Sequence, residues 1–218
     1  MQKKLEENKI TFKSKVIIAI GAHPDDIELG CGGTIHEAVK DGTRVVAVTM
    51  TKGEQSGDGC QRCGEARAAL AKLGVTEVHF GDFPDTEIPA SHEAVRFLET
   101  FVNKENPETI LTHSVNSMHQ DHRQVGWLTV AAFRTAPRIL AYETPRVTSE
   151  FTPVYYIDIS DSIKEKCDAL KMHNSQNGKK YINFDAIIAM ASFRGQQVNV
   201  KYAEAFEVVR FVEQRVKI

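Results

Sequence analysis

Residues 15–26 read KVIIAIGAHPDD. The run Val16-Ile17-Ile18-Ala19-Ile20 is apolar without a break and largely β-branched, the pattern of a strand buried on both faces. Gly21 and Ala22 then lead into a histidine, a proline and two aspartates. In open parallel sheets, ligands sit beyond the carboxyl ends of the strands. A histidine and two carboxylates placed there are costly to bury without a partner, and a divalent cation would neutralise them. His23 and Asp26 are three positions apart, so a tight turn can aim both at one ion. Asp25 would then point elsewhere, free to act as a base beside it. Pro24 stiffens the turn by fixing its own φ, and Gly30, Gly32 and Gly33 let the backbone pass close to the site and open the next helix. Two plainer readings stay open at this point. Asp25 or Asp26 could cap a helix, and the GCGG run at 30–33 could be a worn dinucleotide loop, although it lacks the G-x-G-x-x-G spacing.

Working outward, short β-rich runs alternate with helical ones. Strands are expected at 15–21, 44–51, 77–80, 108–112, 138–143 and 153–159. Helices are expected at 32–41, stopped by Gly42, and at 64–73, stopped by Gly74. Further helices are expected at 92–104, 122–135 and 162–173, with another helical stretch beginning at 184–191. Residues 205–212 read as a last strand or a helix end. The alternation predicts an α/β fold: one Rossmann-like three-layer domain over 1–218, with a mostly parallel sheet and right-handed crossovers, in which residues 1–14 are expected as a flexible N-terminal extension. No internal repeat, low-complexity tract or linker interrupts it. The polar segments 52–59 and 174–180 are candidate active-site walls.

The 218 residues are 42 % hydrophobic and 26 % charged, with a formal net charge of −2. That is ordinary globular composition, without the basic footprint of a nucleic-acid or membrane-surface binder. The longest apolar run is too short to span a bilayer. No secretory signal is legible at the N-terminus, so a cytoplasmic protein is expected. Of the four cysteines, Cys31, Cys60, Cys63 and Cys167, only Cys60 and Cys63 form a close pair, and a single C-x-x-C lacks the second half of a structural zinc site. Reduced thiols are expected.

A second dense group follows the fourth strand: His113, then His119-Gln120-Asp121-His122. Asp121 lies between two histidines and can orient a ring by hydrogen bonding. If the strand order reverses between the first and fourth strands, the two loops face each other across the crevice. His23, Asp26 and His122 would then supply three ligands and leave a position for water, the pattern of catalytic zinc. The same donor set also suits Fe(II). Among the other histidines, His36 and His92 read as surface residues, His79 as strand packing, His113 as support behind the ligands and His173 as a pocket residue. Trp127 and Phe133 read as core.

With both groups in view, the chain resembles the PIG-L/LmbE-like N-deacetylases. The resemblance rests on AHPDD at 22–26 with HQDH at 119–122, and extends to TKGEQSG (51–57), RCGEARAALAKLGV (62–75), Phe83-Pro84-Asp85, HNSQ (173–176) and RGQQVNVKYAEAF (194–206). It departs from the family pattern at Ile27, which puts Glu28 one place late, and at Gln120, where proline is common. The resemblance implies a zinc-dependent hydrolase that removes the N-acetyl group of a small amino-sugar substrate, releasing acetate and a free amine. It implies His23, Asp26 and His122 as metal ligands and Asp25 as general base. It makes His119, in protonated form, the stabiliser of the oxyanion, with Asp121 behind it, and gives Arg62 and Asp85 to the sugar hydroxyls. Two other readings compete: a different metal-dependent amide hydrolase acting on amino-sugar conjugates, and a non-catalytic sugar- or nucleotide-binding module on the same scaffold. The loops 52–61, 82–90 and 144–152 are expected to set the substrate. Oligomeric state is open; the resemblance is compatible with a homo-oligomer.

Overall fold

The structure, a computed structural model, describes residues 14–213. The expected N-terminal extension, Ser14 apart, therefore lies outside the described residues. Strands β1 (Val16–Gly21), β2 (Arg44–Thr49), β3 (Glu77–Phe80), β4 (Thr109–His113) and β5 (Arg138–Tyr142) alternate with helices α1 (Asp26–Lys40), α2 (Gly59–Lys72), α3 (His92–Glu105) and α4 (Gln120–Ala132). Then come β6 (Tyr155–Asp158), α5 (Ile163–Leu170), α6 (Phe184–Gln197) and β7 (Ala203–Phe211).

The sheet has seven strands in the order β3-β2-β1-β4-β5-β7-β6. The first five are parallel, and β7 runs antiparallel to both β5 and β6. The mostly parallel α/β sheet is thus the one expected, and residues 205–212 resolve to strand. Alternate residues of β1 feed two separate cores. Ile17 and Ala19 pack with Ile27, Ile35, Leu70 and Leu73 on one face, while Ile18 and Ile20 pack with Leu98, Phe101, Val125 and Phe133 on the other. Burial on both faces is why β1 reads as an unbroken apolar run.

The chain winds from β1 out through β2 to β3, then returns to place β4 on the other side of β1. Strand order therefore reverses between β1 and β4, and a crevice opens above their carboxyl ends.

Three departures from the sequence reading have local causes. First, α1 begins at Asp26 rather than Gly32 and bends at Cys31, which leaves helical geometry at φ −143°, ψ 22°. The backbone groups freed there find partners: Glu204 accepts from the amides of Gly33 (3.0 Å) and Thr34 (2.7 Å), and Lys166 donates to the Leu29 carbonyl (2.7 Å). The glycines of this run serve close packing rather than a nucleotide loop. A Cβ on Gly30 would stand 2.1 Å from the Tyr142 ring, and one on Gly33 would stand 2.8 Å from Ile159. Second, α2 begins at Gly59, because the Asp58 side chain caps it by accepting from Gln61 N–H. Third, Trp127 is 61 % exposed on the outer face of α4, whereas Phe133 is buried as expected. No described helix is long and apolar enough to cross a membrane.

Candidate metal centre and active site

The crevice is a cleft of about 710 Å³ lined by residues of both loops, among them His23, Asp25, Asp26, Arg62, Asp85, His119 and His122. Every site residue expected from sequence except Asp121 lines it. Asp121 lies just beneath, 1 % exposed.

Asp26 is the hub. Its Oδ2 accepts from the backbone amides of Ala22 (3.1 Å) and His23 (2.7 Å) and lies 3.0 Å from His113 Nε2. It also lies 3.2 Å from His23 Nδ1, and Oδ1 lies 3.2 Å from His122 Nε2. Burial would raise the Asp26 pKa, but His122 and His113 outweigh it and hold the carboxyl well below its ordinary value. Burial drives His122 the other way, down to about 4, and lowers His113 as well. At about 4 the His122 ring is neutral near pH 7, the state in which a histidine can ligate a metal. Donor atoms of His23, Asp26 and His122 all lie within 4.8 Å of one another, and a second group, His23, His119 and Asp121, meets the same criterion.

The charge balance also fits a cation. Asp25, Asp26, Asp85 and Asp121 are each at most 5 % exposed, and the buried guanidinium among them is that of Arg62. His23 stands between three of these carboxylates. Its Nε2 is 3.0 Å from Asp121 and 3.1 Å from Asp85, while Nδ1 faces Asp26. Burial opposes protonation of this ring, yet the carboxylates raise its pKa well above the ordinary value. Four buried acids with so little opposing charge are a poor arrangement by themselves. Two imidazoles and a carboxylate converging among them suit a divalent ion.

Asp25 is unlike its neighbour. It precedes the first residue of α1 at φ 114°, ψ −22°, a region that non-glycine residues rarely occupy, and it makes no capping hydrogen bond. The helix-cap reading of Asp25 therefore does not hold. Its carboxylate receives Tyr181 OH at 2.9 Å and Arg62 Nη2 at 3.3 Å. Burial, reinforced by the charge of Asp26, pushes its pKa up to about 6. A buried carboxylate with this affinity for protons is suited to accept one near neutrality.

His119 precedes α4, and its Nδ1 accepts the backbone N–H of Asp121 at 3.2 Å. That leaves the proton of the neutral ring on Nε2. Burial first, then His122 and His23, lower its pKa to about 4. The structure therefore presents His119 as a neutral N–H donor, where the resemblance implied an imidazolium. The Asp121 carboxylate is also placed differently from expectation. It faces His23 and accepts from the amides of Thr86 (2.8 Å) and Ile88 (3.4 Å), and it holds His119 only through its own backbone N–H. Asp85 divides its oxygens between His23 Nε2 and the Gln55 amide, 2.9 Å away. Arg62 donates to the carbonyls of Gly53 (2.7 Å) and Pro24 (2.8 Å), and its Nε has no partner among the described residues.

Beyond the motifs, His113 stacks on His122 with ring centroids 3.9 Å apart. Glu28 is bound by His173, Nε2 to Oε1 at 3.0 Å, with both residues at most 1 % exposed. The displaced glutamate thus has a dedicated partner in the HNSQ segment. Tyr181 was not legible as a site residue. It follows the polar segment 174–180, and only that segment's content of glycine and amides marked it as a wall. Cys60 and Cys63 are free thiols in the first turns of α2, and neither belongs to either donor group.

The Rossmann-like sheet thus carries, at its switch point, two histidines and an aspartate that could hold a metal ion, with a carboxylate raised to about 6 beside them. Residues 18–133 match the family PIG-L: GlcNAc-PI de-N-acetylase, and the chain belongs to that family. It is 38 % identical over 175 residues to the uncharacterized deacetylase YaiS of Escherichia coli (strain K12), covering 75 % of this chain and 92 % of that protein. It is 29 % identical to the diacetylchitobiose deacetylase of Thermococcus kodakarensis, covering 91 % of this chain and 83 % of the relative. The solved structure of N,N'-diacetylchitobiose deacetylase from Pyrococcus horikoshii, complexed with an inhibitor, superposes with a TM-score of 0.81 at 26 % identity, over 90 % of this chain and 84 % of that one.

Proposed function

We propose that this chain is a zinc-dependent deacetylase that hydrolyses the N-acetyl group of a small amino sugar, releasing acetate and a free amine. The observation that carries the reading is the convergence of His23, Asp26 and His122 from two distant loops, with donor atoms within 4.8 Å, beside an Asp25 whose carboxylate is held near a pKa of about 6. The family and the deacetylase names of the relatives support the reaction class.

His23, Asp26 and His122 would hold the metal. Zinc suits two imidazoles and a carboxylate, as does Fe(II). A bound divalent ion would supply Lewis acidity, lowering the pKa of a water to ~7 and polarising the acyl oxygen. The protein's own groups do the rest. Asp25 accepts a proton from the attacking water and returns it to the departing amine nitrogen. The N–H at His119 Nε2 donates to the oxygen on which negative charge develops, a contribution of about 3 kcal/mol for one such donor. Asp121 and Asp85 fix the His23 ring through Nε2, and His113 fixes Asp26. Arg62 and Asp85 border the cleft where sugar hydroxyls would sit. The free thiols fit a reducing compartment, and we place the enzyme in the cytoplasm.

The test is acetate release from N-acetylglucosamine and its short oligosaccharides by the zinc-loaded protein, with and without a chelator. Turnover that disappears with the chelator and returns with zinc is expected. Binding of these sugars with no acetate released would support the silent binding module instead.

A further inference from the structure

One side chain reaches the proposed base from a distant part of the chain and belongs to none of the motifs. Tyr181 lies between the 3-10 turn Asn174–Gln176 and α6. Its ring packs with Phe184 against the buried side chains of Leu29, Leu170 and Ile187. Its hydroxyl stands 2.9 Å from Asp25 Oδ2 and 3.0 Å from Gln176 Oε1. Gln176 is fully buried, and its amide nitrogen is tied to the Ser56 carbonyl (3.3 Å) and the Ser175 hydroxyl (3.0 Å). The phenol is thus seated by an apolar cluster and an immobilised amide, with its one proton shared between two acceptors. The carboxylate, when ionised, is the stronger of the two.

The partition of contacts on Asp25 is informative. Tyr181 OH and Arg62 Nη2 both meet Oδ2. Among the described residues, no side-chain donor meets Oδ1, and Asp25 lines the cleft. The terminal torsion of an aspartate is broad and two-fold, so a carboxylate held by the 3.3 Å guanidinium contact alone could exchange its oxygens. The shorter bond from the phenol removes that freedom.

We infer that Tyr181 is a positioning residue for Asp25: its hydroxyl pins Oδ2 and so turns Oδ1 toward the attacking water. This rests on the reading of Asp25 as the base. It also assigns a role to the segment around 181, which brings the pin to the cleft.

The test is Tyr181→Phe, which keeps the ring and its apolar seat and removes one donor. In the zinc-loaded protein, kcat on the best N-acetyl sugar should fall about 10- to 100-fold, as misplacement of a reacting group does. KM should stay within about twofold, and zinc content and melting midpoint should match the parent. A crystal structure of zinc-loaded Tyr181→Phe should show the Asp25 carboxylate rotated or split between two orientations. An unchanged kcat would overturn the inference, as would a raised KM at constant kcat, which would make Tyr181 a substrate contact. Loss of zinc or a lowered midpoint would show a structural role and overturn it too. If the parent protein releases no acetate from any N-acetyl sugar, the functional reading fails. The Asp25 orientation in the variant crystal then still decides the positioning claim, with an unmoved carboxylate refuting it.

Discussion

At the scale of single residues, Asp25 and Asp26 show how adjacent carboxylates acquire opposite characters. Asp26 faces the histidines and is held ionised; Asp25 is raised to about 6 by burial and by the charge of Asp26, against the pull of His173, Arg62 and Tyr181. Asparagine tolerates positive φ as well as aspartate does, so Asp25→Asn should leave the backbone at φ 114° undisturbed. It should bind zinc in full and lose about 10²–10⁴-fold in deacetylation, the usual contribution of a general base; near-parental turnover would remove Asp25 from that role. His122→Ala should instead abolish metal retention, read by elemental analysis after dialysis, and retention at one ion per chain would exclude His122 as a ligand. The residues that could hold an ion were legible because each of the two loops carries a dense local cluster, AHPDD and HQDH. The directions of side chains were not. Nothing in HQDH says that the Asp121 carboxylate turns to His23, 98 positions away, rather than to its neighbour His119. Tyr181 was hidden because a lone tyrosine in a polar segment has no spacing to read.

At the scale of elements, the strands were legible to within about two residues, and most plainly β1, β2, β4 and β5, where burial on both faces leaves an unbroken apolar signature. The start of α1 was not, since its first turn carries buried Asp26 and Glu28 and its glycines look like a loop. Those glycines answer to packing. Gly30 faces Tyr142, whose hydroxyl donates to the Ile20 carbonyl at 2.7 Å and whose ring lies 4.8 Å from that of His113. A methyl group at Gly30 would have to displace Tyr142. Gly30→Ala should therefore cost about 2–3 kcal/mol or more, lowering the melting midpoint by roughly 6–10 °C, and should weaken zinc binding through His113. Gly64 makes the contrasting case. It lies exposed in α2, and a Cβ there meets nothing within 4 Å. Gly64→Ala should raise stability by about 0.5–1 kcal/mol, because alanine forms helix more readily. Paired thermal melts check both signs. Equal midpoints for the two variants would mean that the close approach of Gly30 to Tyr142 is not a constraint.

At the scale of the molecule, the two ends of the sheet have different electrostatic tasks. The carboxyl ends gather unbalanced acids for a cation. The opposite end holds a balanced network, in which Arg44, at the start of β2, pairs with Glu77 of β3 and Glu105 of α3, and Lys104 bridges the same two acids. Burial would raise the Glu77 pKa, but hydrogen bonds from Lys104, Arg44 and His79 together outweigh it and bring the carboxyl to about 2. A carboxyl whose pKa is lower in the folded chain than in the unfolded one stabilises the fold above the unfolded value, near 4.5, and that contribution is lost as the pH falls toward 2. The shift alone would correspond to roughly 3 kcal/mol. Glu77 is 28 % exposed at the side chain, and solvent screening reduces the expectation to about 1 kcal/mol. Glu77→Gln should therefore lower the melting midpoint by about 2–4 °C at pH 7, and the gap to the parent should narrow steadily below pH 4.5. Because the network lies at the opposite end of the strands from the cleft, zinc content and acetate release at pH 7 should be unaffected. A gap that stayed constant between pH 7 and pH 3 would show that the variant acts through lost packing rather than through the charge of Glu77.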